Sequence, residues 1–302
     1  MTSFSLFVLC HDRADFARQT LHSILAQSDQ DFELIVSDNS SNDEVGQMMR
    51  ADFPQVEYRR RQPMLFHIAH FNRCIEEARG DLFCLFHDDD LMHPEFVKHM
   101  KAAMDADPRL VACGSNALLE TMGRIEPRSS FRAIGKLEYL GSARDLARRY
   151  FARAQSGFAP FPGYVYRRSA AGALRLDVDG GKYTDVAWLL RLAMKGPIAW
   201  LNEPLLTYRI HGGNDGKVES PRDRLRFMAF LKRYPEQFGK ALLADYRYSF
   251  IYKPLVKNAA ATPARRAVAR RFLSRHSWSR YIDPVLYRSL VKRFFIKWRV
   301  ER

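Results

Sequence analysis

Three short apolar runs, each ending abruptly in a polar cluster, constrain this chain more than any other feature. Residues 4–10 give way to His11-Asp12-Arg13, residues 32–37 to Asp38-Asn39-Ser40, and residues 82–86 to His87-Asp88-Asp89-Asp90. Continuous apolarity over so few residues marks strands buried on both faces. Between the runs the period lengthens. Phe16, Ala17, Thr20, Leu21, Ile24 and Leu25 recur at helical spacing, with Asp12 placed as the cap of that helix. The turn 38–43 caps a second helix, 56–60 reads as a short strand, 70–78 as a helix stopped by Gly80, and Pro94 opens a helix to about residue 106. A strand over 110–118 follows. Strand and helix alternating in this way imply βαβ units and a mostly parallel sheet flanked by helices.

Beyond residue 120 the pattern loosens. The spacing predicts a helix over 139–153, a rigid aromatic loop at Pro160-Phe161-Pro162-Gly163, a helix over 184–195 and a strand over 200–211. A soft boundary falls near 215–222, after which the chain reads as helical. Charge follows the same division. Of the net +14 over 302 residues, residues 253–302 carry 14 Lys/Arg against 2 Asp/Glu, which leaves a nearly neutral body. At 47% hydrophobic and 27% charged residues, disorder is excluded. No apolar stretch approaches the ~20 residues of a membrane-spanning helix, and the first ten residues read as a strand rather than a signal peptide. Cys10, Cys74, Cys84 and Cys113 lack metal-type spacing and sit in apolar segments, so buried reduced thiols and a cytoplasmic setting are expected.

In a parallel α/β sheet, ligands bind beyond the carboxyl ends of the strands. Three consecutive carboxylates at such an end repel one another unless a cation is present. A hard divalent cation resolves this, and a solvated acidic turn capping the helix at Pro94 is the alternative.

Four segments, 4–27, 32–43, 70–94 and 183–196, resemble in order and spacing a family 2 glycosyltransferase of the GT-A fold, of the kind that assembles bacterial polysaccharide and lipopolysaccharide. The resemblance implies a Rossmann-like catalytic domain over 1–215, with a nucleotide-binding half to about 120 and an acceptor half from 121. The basic, amphipathic helical extension is 216–302. It further implies inverting transfer from a nucleotide sugar, with UDP the expected nucleotide, to a saccharide or lipid-linked saccharide, using Mn²⁺ or Mg²⁺. By position, His11, Asp12 and Arg13 would line the nucleotide and Asp38 and Asn39 would meet the base. The acidic triple resembles a DxD motif in either of two registers, Asp88 and Asp90 by literal spacing or His87 and Asp89 counted back from Pro94; Asp89 would bind metal, Asp90 beside it, and Asp88 would lie near the ribose or a metal-bound water. His211 resembles the late histidine that completes metal or diphosphate binding, although a strand-end His held by backbone is equally consistent. Asp185 is the general-base candidate, and its place in the first turn of a helix also suits a merely structural carboxylate. Phe161, Tyr164 and Trp188 are candidates for stacking on the acceptor sugar, the alternative being core packing.

Within 284–300, Leu286, Leu290, Phe294 and Trp298 recur every four residues among Arg288, Lys292, Arg293, Lys297 and Arg299. That pattern suits an anionic membrane surface, placing the enzyme on the cytosolic face of the inner membrane, or else docking on the catalytic domain. A metal-dependent nucleotidyltransferase is the competing enzyme. Such enzymes carry a Gly-rich loop after the first strand, and His11-Asp12-Arg13-Ala14-Asp15 has no glycine. A basic nucleic-acid-binding protein is motivated by net charge alone, and with a near-neutral body no nucleic-acid partner is expected.

Overall fold

The computed structural model describes residues 2–133, 135–151, 157–213 and 221–247. The apolar runs are strands because both of their faces are covered. β1 (Phe4–Cys10) is buried throughout. Its Phe7 and Leu9 enter one hydrophobic cluster, while Phe4, Leu6, Val8 and Cys10 enter another on the opposite face. β2 (Glu33–Asp38) and β4 (Leu82–His87) pair with β1 in parallel, and β3 (Glu57–Arg60) extends the sheet beyond β2. The register sets Cys10 beside Asp38 and Leu9 beside His87, so three polar clusters emerge along one edge.

Helices α1 (Ala14–Leu25), α2 (Glu44–Asp52) and α4 (Phe96–Ala106) cover the face of the second cluster through residues such as Leu21, Met48 and Met100. The first cluster is covered by α3 (His67–Glu77), α5 (Ala143–Phe151) and α6 (Thr184–Ala193). Helices α7 (Pro221–Lys232) and α8 (Pro235–Tyr246) contribute Phe227, Phe230, Phe238 and Tyr246 to that same cluster, so the start of the extension packs into the core of the body. Each of these side chains gains roughly 2 kcal/mol from leaving water. The remainder of the extension, including 284–300, lies outside the described residues.

The sheet order is β3-β2-β1-β4-β9-β6-β10-β5, with β7 on β6 and β8 on β10. β6 (Ala112–Thr121) and β10 (Ile198–Ile210) are parallel, whereas β9 (Tyr164–Arg167) runs antiparallel between β4 and β6. β7 (Arg124–Ser129), β8 (Leu137–Leu140) and the two-residue β5 (Leu91–Met92) are also antiparallel to their neighbours. The helix expected from residue 139 starts instead at Ala143, because 137–140 lie along β10.

Two local devices aim the site. β10 shifts register around Pro204, and beyond the shift Leu206 and Thr207 pair with Met92 and Leu91, tying the strand to the acidic turn. The loop Val178–Tyr183 before α6 contains Gly181 at φ 58°, ψ −128°, and a Cβ there would come within 3.0 Å of the Asp223 Cα. Only glycine tolerates both the dihedral and the approach of α7.

Candidate active site

Each cluster predicted at a strand end has a distinct role. Asp12 does not cap α1, since Arg13 occupies the cap position and no side chain bonds there. Asp12 stands at φ 54°, and its carboxylate accepts from Ser41 N–H at 2.7 Å and from Ser41 Oγ–H at 2.9 Å, joining the loops after β1 and β2. Burial opposes ionisation, but these Ser41 bonds hold the Asp12 carboxyl below its usual value.

Asp38 is fully buried, with Tyr58 Oη and the Arg60 guanidinium on Oδ2 and Ser40 N–H on Oδ1. Its carboxylate is engaged at the sheet edge and is not among the residues lining either cleft described below, where contact with a base was expected. Asn39 grips Leu65 in both directions: Leu65 N–H donates to Oδ1 at 2.7 Å and Nδ2–H donates to the Leu65 carbonyl at 2.9 Å. The loop over 61–66, between β3 and α3, is thereby pinned to the end of β2.

The acidic triple is buried, with Asp88, Asp89 and Asp90 between 1% and 6% exposed. The Thr20 hydroxyl sits 2.8 and 2.7 Å from the carbonyls of Asp88 and Asp90, and the Arg209 Nε–H donates to the carbonyl of Asp89. Asp88 accepts from His11 N–H at 2.8 Å and lies 3.6 Å from Arg13 Nε. Asp89 Oδ2 meets the Arg13 guanidinium and lies 3.0 Å from His211 Nε2. His211 stacks on Phe16 at 4.8 Å, and the Arg209 guanidinium lies over the same ring. Asp90 Oδ1 accepts from Arg209 N–H at 2.9 Å, while Oδ2 has no hydrogen-bond partner among the described residues.

Electrostatics separates the three. Burial pushes Asp88 up to about 7 despite Arg13 and His11. Burial also works against Asp89, yet His87, Arg13 and His211 keep its carboxyl below the ordinary value. Asp90 is driven well up, first by burial and then by Asp89. Donor atoms of His87, Asp89 and Asp90 lie within 4.8 Å of one another. An orphaned buried carboxylate oxygen beside an imidazole and a second carboxylate suits a small divalent cation. The donor set thus includes His87, with His211 beside it as a partner of Asp89.

Two clefts open at this edge. The first, about 480 Å³, is lined by His11, Arg13, Asn39, Asp88 and Asp89, by Met64, Leu65 and Phe66 of the pinned loop, and by His67, His70, His87 and Tyr208. The second, about 380 Å³, is lined by Tyr150, Phe158, Phe161, Tyr183 and Asp185, and again by His87 and Tyr208. Asp185 therefore lies across a shared wall from the acidic turn, its Oδ1 accepting from Val186 N–H at 2.8 Å. Phe161 lines the second cleft, but Tyr164 and Trp188 do not. Both have zero exposure: Tyr164 accepts a 2.6 Å bond from Trp200 Nε1, and Trp188 packs edge-on against Tyr166 at 4.9 Å. The inward face of α6 and a central strand claim these rings for the core. Met64, Leu65 and Phe66 were not among the site residues expected from the sequence, since loop residues with no periodicity reveal their place only once Asn39 pins them; His67, His70 and Tyr208 reach the cleft from α3 and β10.

The profile described as Glycosyl transferase family 2 matches residues 5–173. The chain belongs to this family. A 93-residue stretch is 34% identical to the uncharacterized glycosyltransferase YfnE of Bacillus subtilis (strain 168), covering 29% of this chain and 23% of that protein. Over 203 residues it is 26% identical to the uncharacterized protein MT1568 of Mycobacterium tuberculosis (strain CDC 1551 / Oshkosh), covering 63% of this chain and 61% of that one. The matches span less than two thirds of either relative. Among solved structures, S. aureus TarS 1–349 in complex with UDP-GlcNAc superimposes with a TM-score of 0.64 at 14% identity, over 99% of this chain and 90% of that one. The mannosyltransferase PcManGT of Pyrobaculum calidifontis, in complex with GDP-Man and Mn2+, gives 0.50 at 14% identity over 97% and 87%. The fold is GT-A. Among the described residues no helix is long and apolar enough to cross a membrane, and all four cysteines are buried and free.

One group on the wall of the first cleft gives a stability prediction. His70 is 5% exposed with Nε2 at 2.7 Å from Ser37 Oγ, and burial, aided by the Arg61 cation, lowers its value from 6.5 to about 4. Between these values the unfolded chain binds the extra proton. His70 thus contributes stability that is full above pH 6.5 and is lost as pH falls through about 4, on the order of 3 kcal/mol. Urea unfolding of His70→Gln should show a shallower loss between pH 6.5 and 4 than the wild type; parallel pH profiles would contradict the assignment.

Proposed function

We propose that the protein transfers a sugar from a nucleoside-diphosphate sugar to a hydroxyl of a saccharide or lipid-linked saccharide, inverting the anomeric carbon with the help of a divalent cation. The observation that carries this reading is the pair of clefts, with Asp185 in one, the acidic turn in the other, and a common wall between them. The first cleft takes the donor. His11, the pinned loop and the Phe66 ring offer a base and ribose their surface, while Arg13 stands where diphosphate charge would gather. UDP is the nucleotide adopted here, supported by the likeness to TarS, which was solved with UDP-GlcNAc.

Asp89 and Asp90, with His87, would hold Mn²⁺ or Mg²⁺, and His211 would steady Asp89. When bound, the ion offsets charge on the departing diphosphate. The second cleft takes the acceptor, with Phe161 and its aromatic neighbours facing the sugar rings. Asp185 accepts the proton of the acceptor hydroxyl as that oxygen bonds to the anomeric carbon. The bond from this carbon to the diphosphate oxygen breaks on the opposite side, and the nucleoside diphosphate leaves with the electron pair.

The direct test is Asp185→Asn, followed by nucleotide release from UDP- and GDP-sugars. A positioned base contributes at least about 100-fold, so release should fall by that factor while affinity for the free nucleotide stays within about twofold. Turnover near the wild-type rate would eliminate Asp185 as the base.

The amphipathic pattern of 284–300, with its surrounding excess of Lys and Arg, supports reversible attachment to an anionic membrane from the cytosolic side. The full chain should co-sediment with vesicles containing phosphatidylglycerol at low salt and release in high salt, and Phe294→Ser/Trp298→Ser should bind more weakly. Retention of the wild type in the supernatant would refute membrane attachment.

A further inference from the structure

The residues common to both clefts are His87 and Tyr208. In the reading proposed above, on which this inference rests, the anomeric carbon must be reached from the Asp185 side while its leaving group stays on the acidic-turn side. It therefore sits at the shared wall. His87 is engaged there: its imidazole belongs to the cluster with Asp89 and Asp90, and its ring packs near Phe71 and Phe161 at 5.9 and 6.3 Å.

Tyr208 is differently placed. It lies on β10 just beyond the register shift, and its neighbour Arg209 is committed to the acidic turn. Tyr208 is half-buried, and its hydroxyl makes no hydrogen bond to any described residue. Burial, reinforced by Asp90, Asp89 and Asp185, raises the phenol far above its ordinary value, so it stays a proton donor across the working range. Because it lines both clefts, Tyr208 stands on the wall shared by the base candidate's cleft and the acidic turn's cleft.

We propose that Tyr208 contacts the transferred sugar itself, its ring forming one wall for the pyranose and its hydroxyl donating to a sugar oxygen as the bond to the diphosphate breaks. In this role Tyr208 helps to determine which sugars are transferred, and it is not needed to hold the nucleotide.

The test uses the full chain with Mn²⁺ and four probes: UDP-glucose, UDP-galactose, UDP-N-acetylglucosamine and GDP-mannose. Nucleotide release to water, which replaces the acceptor hydroxyl, reports turnover, and calorimetry reports affinity for UDP and GDP. Tyr208→Phe should lower kcat/KM for the preferred donor about tenfold, the equivalent of one neutral hydrogen bond, with free-nucleotide affinity within about twofold. Tyr208→Ala should lose more and change the order of preference among the four sugars, which a purely structural role would not do. Wild-type kcat/KM in Tyr208→Phe would overturn the proposal, as would an equal loss of free-nucleotide affinity, which would move the contact to the diphosphate. A wild type that binds UDP or GDP but releases nucleotide from none of the donors would defeat the transfer reading, and this proposal with it.

Discussion

Three successive carboxylates held almost out of water are the constraint around which this structure is arranged. Burying one charge is costly and three adjacent ones repel, so the turn after β4 survives only with help from elsewhere in the chain. α1 supplies Thr20 to the turn carbonyls, the loop after β1 supplies Arg13 and the His11 amide, and β10 supplies Arg209 and His211. β5 and β10 pair at the same place. The far end of the sheet is thereby locked to the strands that precede it, although β10 comes more than a hundred residues later. One buried acceptor of the triple, Asp90 Oδ2, has no partner among the described residues, and Asp90 belongs to the cluster with His87 and Asp89 that could hold a cation.

This arrangement separates support from chemistry among residues that look alike in the sequence. Asp12, Asp38 and Asn39 are as polar and as close to strand ends as the acidic triple, yet Asp12 and Asn39 tie loops together and Asp38 bonds to Tyr58 and Arg60 of β3. Of the three, Asn39 lines the first cleft. Asp185 stands apart on α6, carried by a helix whose inward face is pure core and whose preceding loop is held by α7. The helices just after the chain's soft boundary thus support the second cleft from behind.

The parallel half of the fold was legible because β1, β2 and β4 are continuous apolar runs with helical periods between them, and the resemblance to family 2 rested on those segments. β9 was not legible. Its four residues follow a Pro-rich aromatic loop, and its tyrosines resemble sugar-binding residues when they are in fact the centre of the sheet. Trp188 misled for the same reason, since an aromatic on a helix near the site is core unless its face is exposed. The helix expected from residue 139 starts later, at Ala143, because the pairing of 137–140 with β10 is non-local and overrides the local pattern. Asp38 illustrates the deeper limit: its partners Tyr58 and Arg60 come from a neighbouring strand, so its commitment to structure cannot be inferred from its own surroundings in the sequence.

In the transfer reading proposed above, the buried triple holds a cation that receives a nucleoside diphosphate. Calorimetric titration of UDP and GDP into the protein, once with Mn²⁺ and once in EDTA, measures that most directly. The account predicts at least tenfold tighter binding of one nucleotide with Mn²⁺, a gain lost in Asp89→Ala. Equal affinity in EDTA and Mn²⁺, with Asp89→Ala unchanged, would contradict it.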